Sequence, residues 1–523
     1  MVPGMRHYPT MIAGTAQDPP TGAWHHVPYA KAMLTDPFRT TDAVLTANTT
    51  RGRQTGFAGA VAASTSGQNT LAMHAAHAAQ PAWAARSVAE RLAVVARFHS
   101  AVTEHWDELV DLLIAEGHPA LVARWQVAAI LSQTHPATLA QALEALGSTT
   151  ARLGRQVTLR RVPLGVVGIQ PSGACAAFDA AGGIWALAAG NAVIVNCPPE
   201  QPLATAYLYH QLIAPCLAAS GAPPGVLSVL STPGWGAVDD WVTAPHCDAV
   251  WATTNRATGR EVELACVAGG KRAIVDVPGS DGVLVWSDAD LPAAVQVLAE
   301  RFYASGQLRM APSYALAHPA IAEKLVDMLA ERAAELRPGL PSQPEVLLSP
   351  VTNRYIYTAQ LEQALNAGAR LAYGGELWDL GGKEHPSGPF AQPAVLWVSN
   401  ANAADLECLR EPGGYPLATV VVLDAADDAA RLGWAISHLN RDPYTLRNTI
   451  WAQDPKVIAR CVAQVHTGGI LNINDSHLRS LPGMPGDGST GGAWGEAAQP
   501  WVRTTRLQAV ADGTALGGFV AAV

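Results

Sequence analysis

The residues of this chain able to do nucleophilic, acid–base or metal chemistry are few and scattered. Its seven cysteines (Cys175, Cys197, Cys216, Cys247, Cys266, Cys408 and Cys461) form no CxxC pair and no Cys/His set at zinc spacing. Reduced, buried packing thiols are the expectation for nearly all of them. His25-His26 and the pair His74 and His77 lie in polar or helical surroundings without a third ligand at metal spacing, which suits solvated faces better than a metal centre. The glycine-rich run 486–495 has no strand-loop-helix context, so it reads as a loop and not a phosphate cradle. Two segments are more pointed. Val275-Asp276-Val277-Pro278-Gly279 offers a carboxylate, able to activate water. Ala304-Ser305-Gly306-Gln307-Leu308-Arg309-Met310-Ala311-Pro312-Ser313 offers a guanidinium, which stays charged, accepts no hydrogen bond and is no nucleophile.

The elements that must position these groups follow from length and pattern. A chain of 523 residues exceeds one ordinary core, so two or three domains are expected. With 49% hydrophobic and 15% charged residues the composition is globular. A net charge of −9 argues against non-specific nucleic-acid binding. No apolar run is long enough to span a bilayer and the start lacks a signal-peptide hydrophobic region, so a cytoplasmic location without membrane contact is expected.

Residues 1–65 are irregular, with one short strand expected around Met11-Ile12-Ala13. Ser87-Val88-Ala89-Glu90 has the spacing of a capping box. After it Leu92, Val95, Phe98, Val102, Trp106, Leu109 and Leu113 recur at three and four, as one amphipathic helix requires. From residue 157 the pattern alternates. An exposed strand at 157–161 precedes apolar strands at 166–169, 192–195, 225–230 and 248–252, with Ala-rich helical stretches at 183–189 and 202–220. That rhythm predicts an α/β doubly wound parallel sheet. A second αβ set runs from Val283 to about Asn474.

Six segments, in order, resemble the aldehyde dehydrogenase superfamily. They are Pro163-Leu164-Gly165-Val166-Val167-Gly168-Ile169, Ala188-Ala189-Gly190-Asn191-Ala192-Val193-Ile194-Val195, Pro224-Gly225-Val226-Leu227, Ala257-Thr258-Gly259-Arg260, Ser287-Asp288-Ala289-Asp290-Leu291 and Gly468-Gly469-Ile470-Leu471-Asn472-Ile473-Asn474-Asp475-Ser476. The resemblance implies a Rossmann-type domain (1–149 and 162–275), a second α/β domain of catalytic type (276–480), and an oligomerisation arm with a C-terminal tail (150–161 and 481–523). It implies a homodimer or homotetramer built through strands at 156–161 and 502–510.

Position by position, the resemblance places the family's functional residues on unlike side chains. The nucleophilic cysteine of the Ser-Gly-Gln-x-Cys pattern falls on Arg309, and only a thiolate-like group can add to an aldehyde and pass on a hydride there. The oxyanion asparagine falls on Gly173 of Gln170-Pro171-Ser172-Gly173, which has no side-chain donor. The general-base glutamate falls on Asp276, one methylene shorter. Of the cofactor residues, the ribose-binding lysine becomes Asn196, the Gly-Ser pair at the pyrophosphate helix becomes Thr254-Asn255, and the nicotinamide-ribose glutamate becomes Pro412.

The expectation from these changes is a degenerate member of the family, a pseudoenzyme that binds no cofactor and works by binding or assembly. Its partners would be copies of itself, an active relative, or an anionic small molecule. Arg309 is expected to pair with Asp276 or another local carboxylate and plug the disused pocket, in preference to facing an open anion site. Asn255 and Thr254 are expected to cap the helix that begins near Arg256. Cys175 is the only thiol near the oxyanion loop, and a structural role is preferred for it over that of a displaced nucleophile. The alternative is an NAD(P)-dependent aldehyde oxidoreductase with rewired residues, or a pocket recruited to non-redox chemistry.

Overall fold

In a computed structural model, the chain is described over residues 6–36, 43–44, 56–152, 156–411, 413–479, 481–484 and 499–512. Two seven-stranded sheets dominate. The first runs in the order Arg272–Asp276, Ala249–Thr253, Val166–Gln170, Ala192–Asn196, Leu227–Leu230, Thr10–Ile12 and Thr15–Gln17. Its first five strands are parallel and the last two antiparallel. The central strands are apolar on both faces and buried throughout, as parallel strands covered by helices must be. The second sheet orders Arg370–Tyr373, Ala394–Ser399, Leu417–Val422, Tyr314–Ala317, Gly282–Val285, Arg447–Trp451 and Ile470–Ile473. It is parallel apart from its first strand.

A third, antiparallel sheet joins Thr149–Arg152, Gln156–Pro163 and Thr505–Asp512. The C-terminal strand therefore lies along the 156–163 strand over eight paired positions, from Thr505 opposite Pro163 to Asp512 opposite Gln156. It begins three residues later than the pattern suggested, because Pro500–Arg503 first makes one helical turn.

Other local differences have plain causes. The expected capping box at Ser87 and Glu90 forms, but the apolar stripe that follows is two helices, Val88–Glu104 and Trp106–Ala115, divided at His105. Leu109 and Leu113 are buried from the second helix, so the stripe is continuous while the helix is not. The N-terminal region holds five short strands where one was expected, three of them in a small sheet ordered Arg6–Tyr8, Phe57–Ala62, Trp24–Pro28. These strands take their order from pairing partners distant in sequence, which local pattern does not reveal.

A tight turn before Arg309 sets that residue's position. Ala304, Ser305 and Gly306 are all left-handed, with φ of 49°, 54° and 76°. Only the glycine adopts this without steric cost. The strain is held by surrounding bonds: Ala304 N–H donates to Leu347 O at 2.8 Å, and Ser305 Oγ donates to Ser349 O at 2.7 Å. Ser349 N–H returns a bond to Ser305 Oγ at 3.0 Å. Strained backbone held this firmly is typical of a functional cleft.

Candidate active site

Near the carboxyl end of the Arg272–Asp276 strand and the 304–313 turn lie two carboxylates and two guanidinium groups. Arg309 Nε lies 3.6 Å from Asp179 Oδ1, and Asp179 is buried. Ser172 Oγ donates to Asp179 Oδ2 at 2.6 Å. Asp276, at the end of the Arg272–Asp276 strand, receives Arg503 Nη1 on one oxygen and Trp251 Nε1 on the other, each at 2.8 Å. Arg503 also lies over the Trp251 ring, 5.5 Å from its centroid.

Of the two expectations for Arg309, the pair is made not with Asp276 but with another local carboxylate, Asp179. Both oxygens of Asp276 are engaged by groups nearer to hand, so Arg309 turns to Asp179, a residue the sequence reading overlooked. Asp179 and Asp276 are close enough for their charges to repel. Burial pushes the Asp179 carboxyl up from its ordinary value, Arg309 and the Ser172 hydroxyl pull it down, and Asp276 adds to the rise. Two guanidinium groups answer two carboxylates here, and such matching is what makes buried charge tolerable.

Cys175 is buried, and burial drives its thiol well above the ordinary range, with Asp179 adding to the effect and Arg309 opposing it. A thiol so placed stays protonated near neutral pH, which is the opposite of what a nucleophile needs. Gly173 brings no donor, and a side chain there would meet only Glu200 Cβ, at 3.9 Å. All seven cysteines are buried and unbridged.

The positions expected to face a dinucleotide are occupied by internal bonds. Asn196 is fully buried: Nδ2 donates to Gln170 Oε1 at 2.8 Å and to Thr232 O at 3.1 Å, and Oδ1 accepts from Thr232 N–H at 2.7 Å. Thr254 N–H donates to Asp276 O at 2.9 Å. Asn255 caps the Arg256–Ala268 helix, its Oδ1 accepting from Thr258 N–H at 2.9 Å, as expected. Arg256 then reaches out of the helix start to Asp442, to Pro278 O at 3.1 Å and to Arg410 O at 3.0 Å, while stacking on Tyr444. Pro412 lies outside the described residues, as does the whole of the 486–495 run.

Beside the charged group is an apolar cavity of about 340 Å³ lined by Leu121, Trp125, Tyr303, Leu308 and Leu478, with Glu300 and Arg479 at its polar edge. The Trp125 ring packs against Phe178, the neighbour of Asp179, at 5.6 Å. Elsewhere, His246 packs against both His74 and His77, with ring centroids 4.6 and 4.5 Å apart. Among the described residues no three His, Cys, Asp or Glu side chains are arranged to hold a metal ion, and no helix is long and apolar enough to cross a membrane.

Asp179 and Arg503 were the residues missed. One signal was available: Asp179 is the only charged residue between Arg161 and Glu200, and a lone charge in so apolar a run needs a partner. Arg503 carried no such mark, because its partner is more than two hundred residues away.

The model of the aldehyde dehydrogenase family matches residues 48–508. A vanillin dehydrogenase of Amycolatopsis sp. is 32% identical over 405 residues, covering 71% of this chain and 80% of that protein. A benzaldehyde dehydrogenase [NAD(+)] of Pseudomonas putida is 29% identical over 82% of this chain and 85% of its own length. Among solved structures, lactaldehyde dehydrogenase from Escherichia coli superposes with a TM-score of 0.79 at 20% identity, over 98% of this chain and 100% of that one. The fold is that of these enzymes, and the chain belongs to the aldehyde dehydrogenase family.

Proposed function

We propose that this chain is a non-oxidising member of its family, acting by binding or assembly. The observation that carries the reading is Arg309, which stands at the position where the family's pattern has its nucleophilic cysteine and is engaged with Asp179. Nothing nearby replaces the lost thiolate, since Cys175 is buried and held protonated. The cofactor positions support the same reading. Asn196 spends its amide on Gln170 and Thr232, and Arg256 ties the helix start to Asp442, so the residues present do not fit a dinucleotide. Asp276, clamped by Arg503 and Trp251, is not free to act as a base.

Beside the paired charges lies an apolar cavity, suited to a small apolar group. The arm sheet, with Leu159, Leu507 and Val510 exposed along it, suits assembly into a homodimer or homotetramer, or pairing with an active relative. The reading also takes 1–149 with 162–275 as the former cofactor domain and 276–480 as the former catalytic domain.

A second reading, NAD(P)-dependent aldehyde oxidation by rewired residues, is favoured by the relatives, which are named as dehydrogenases. Calorimetric titration with NAD and with NADP separates the two. The non-oxidising reading expects no binding heat for either; tight binding of one of them supports the second.

A further inference from the structure

We propose that Arg503 is a positioning residue through which the C-terminal strand clasps the cleft shut, so that the arm sheet and the charged site move as one unit. The segment just ahead of the strand is fastened at three of its residues, Trp501, Arg503 and Thr504. Trp501 is buried with its ring 4.6 Å from that of Trp185. Arg503 reaches Asp276 at 2.8 Å and covers Trp251. Thr504 O accepts from Leu164 N–H at 3.1 Å and from Asn191 Nδ2 at 3.0 Å. From Thr505 onward the chain continues directly into the strand paired with Gln156–Pro163.

The consequence is mechanical and electrostatic together. Arg503 supplies the only described guanidinium partner of Asp276, and it comes from the arm and not from the two large sheets. Peeling back the strand would withdraw a positive charge from a site where Asp276 and Asp179 already repel. The site would have to rearrange or admit water and ions. An event at the arm, such as assembly or a partner's strand, is thereby reported in the cleft about one helical turn away in sequence. The inference rests on the non-oxidising reading only for what the clasp controls, and its test is independent of cofactor binding.

The test measures iodoacetamide labelling of single cysteines in the full-length protein, read peptide by peptide, with hydrogen exchange alongside. Cys175 lies beside Asp179 and Arg309 and reports opening of the cleft, whereas Cys408 and Cys461 belong to the core of the second sheet and report global unfolding. Arg503→Gln is expected to label Cys175 roughly tenfold faster or more, because the local opening then costs less than global unfolding. Exchange should rise in 156–163 and 505–512, Cys408 and Cys461 should keep their rates, and Arg503→Lys should restore the slow labelling. If Arg503→Gln yields no folded protein, Trp501→Leu, which loosens the docking and keeps the charge pair, carries the same expectation. Unchanged Cys175 labelling overturns the proposal. So does equal acceleration of all three thiols, which would make Arg503 a contributor to overall stability alone.

Discussion

Arg309 is paired with Asp179, 3.6 Å away, while Asp276 is held by Arg503 at 2.8 Å. The two pairs cross over the arrangement that sequence spacing suggests, and each joins parts of the chain far apart in sequence. Their energetics follow from burial: Asp179, Asp276 and Arg503 are all buried, and Arg309 keeps 16% of its side chain exposed.

Breaking a buried charge pair is costly. Asp179→Leu is expected to lower unfolding stability by about 3 kcal/mol, since it breaks the Arg309–Asp179 pair. Arg309→Met together with Asp179→Leu should recover most of that loss, because two apolar groups replace two charges. Urea unfolding of the two single variants and the double variant measures this. Additive losses would show that the residues are not coupled.

Restoring the cysteine alone should not restore chemistry. Arg309→Cys regains a thiol, but Gly173 still offers no donor to a developing oxyanion, a loss worth about 3 kcal/mol. Asp276 stays clamped and Asn196 stays bonded internally. Aldehyde-dependent NADH formation by Arg309→Cys should remain at the level of a protein-free control, and measurable turnover would show that the remaining site is intact.

The strained turn offers a stability test. Ala304 has φ of 49°, which costs an alanine about 1 kcal/mol relative to glycine. Ala304→Gly should therefore stabilise the fold by about 0.5–1 kcal/mol in thermal unfolding. Ser305→Ala should destabilise it by about 1–2 kcal/mol, because Ser305 exchanges two buried hydrogen bonds with Ser349. A destabilising Ala304→Gly would mean the turn is not strained.

Stability should peak near neutral pH. Burial raises Glu116 to about 7 even though it accepts from Leu203 and Ala204 N–H, so its folded value lies above its unfolded one. Its contribution is full below the unfolded value and is lost as pH rises through 7. Burial lowers His118, His210 and His438 to about 4, so their contributions are present above their unfolded value and lost as pH falls towards 4. Across pH 5–7 Glu116 opposes the rise in stability that these histidines produce, and Glu116→Gln should steepen the rise in melting temperature across that window. An unchanged slope would remove Glu116 from the account.

Much of the fold was legible because it rests on local pattern. The apolar runs around Val166 and Ala192 and the Asn255 cap are written in neighbouring residues, and each formed as spacing required. In the N-terminal region the strand around Met11 was legible and the other described strands were not, since three of them take partners only once distant segments meet. The site divides in the same way. Arg309 and Asp276 could be placed by their position in recognisable segments, but their partners could not. Asp179 arrives from a short buried helix and Arg503 from beyond the last large sheet. Which carboxylate meets which guanidinium is settled by tertiary geometry, and one methylene or one turn decides it.

The central claim is that this cleft no longer oxidises aldehydes, and rapid-mixing measurement of nicotinamide reduction tests it most directly. Protein at high concentration is mixed with saturating NAD or NADP and a panel of aliphatic and aromatic aldehydes, and NADH or NADPH formed per protein molecule is counted. The account predicts no burst and no steady turnover above a protein-free control for any aldehyde. A burst approaching one reduced nicotinamide per chain would contradict it.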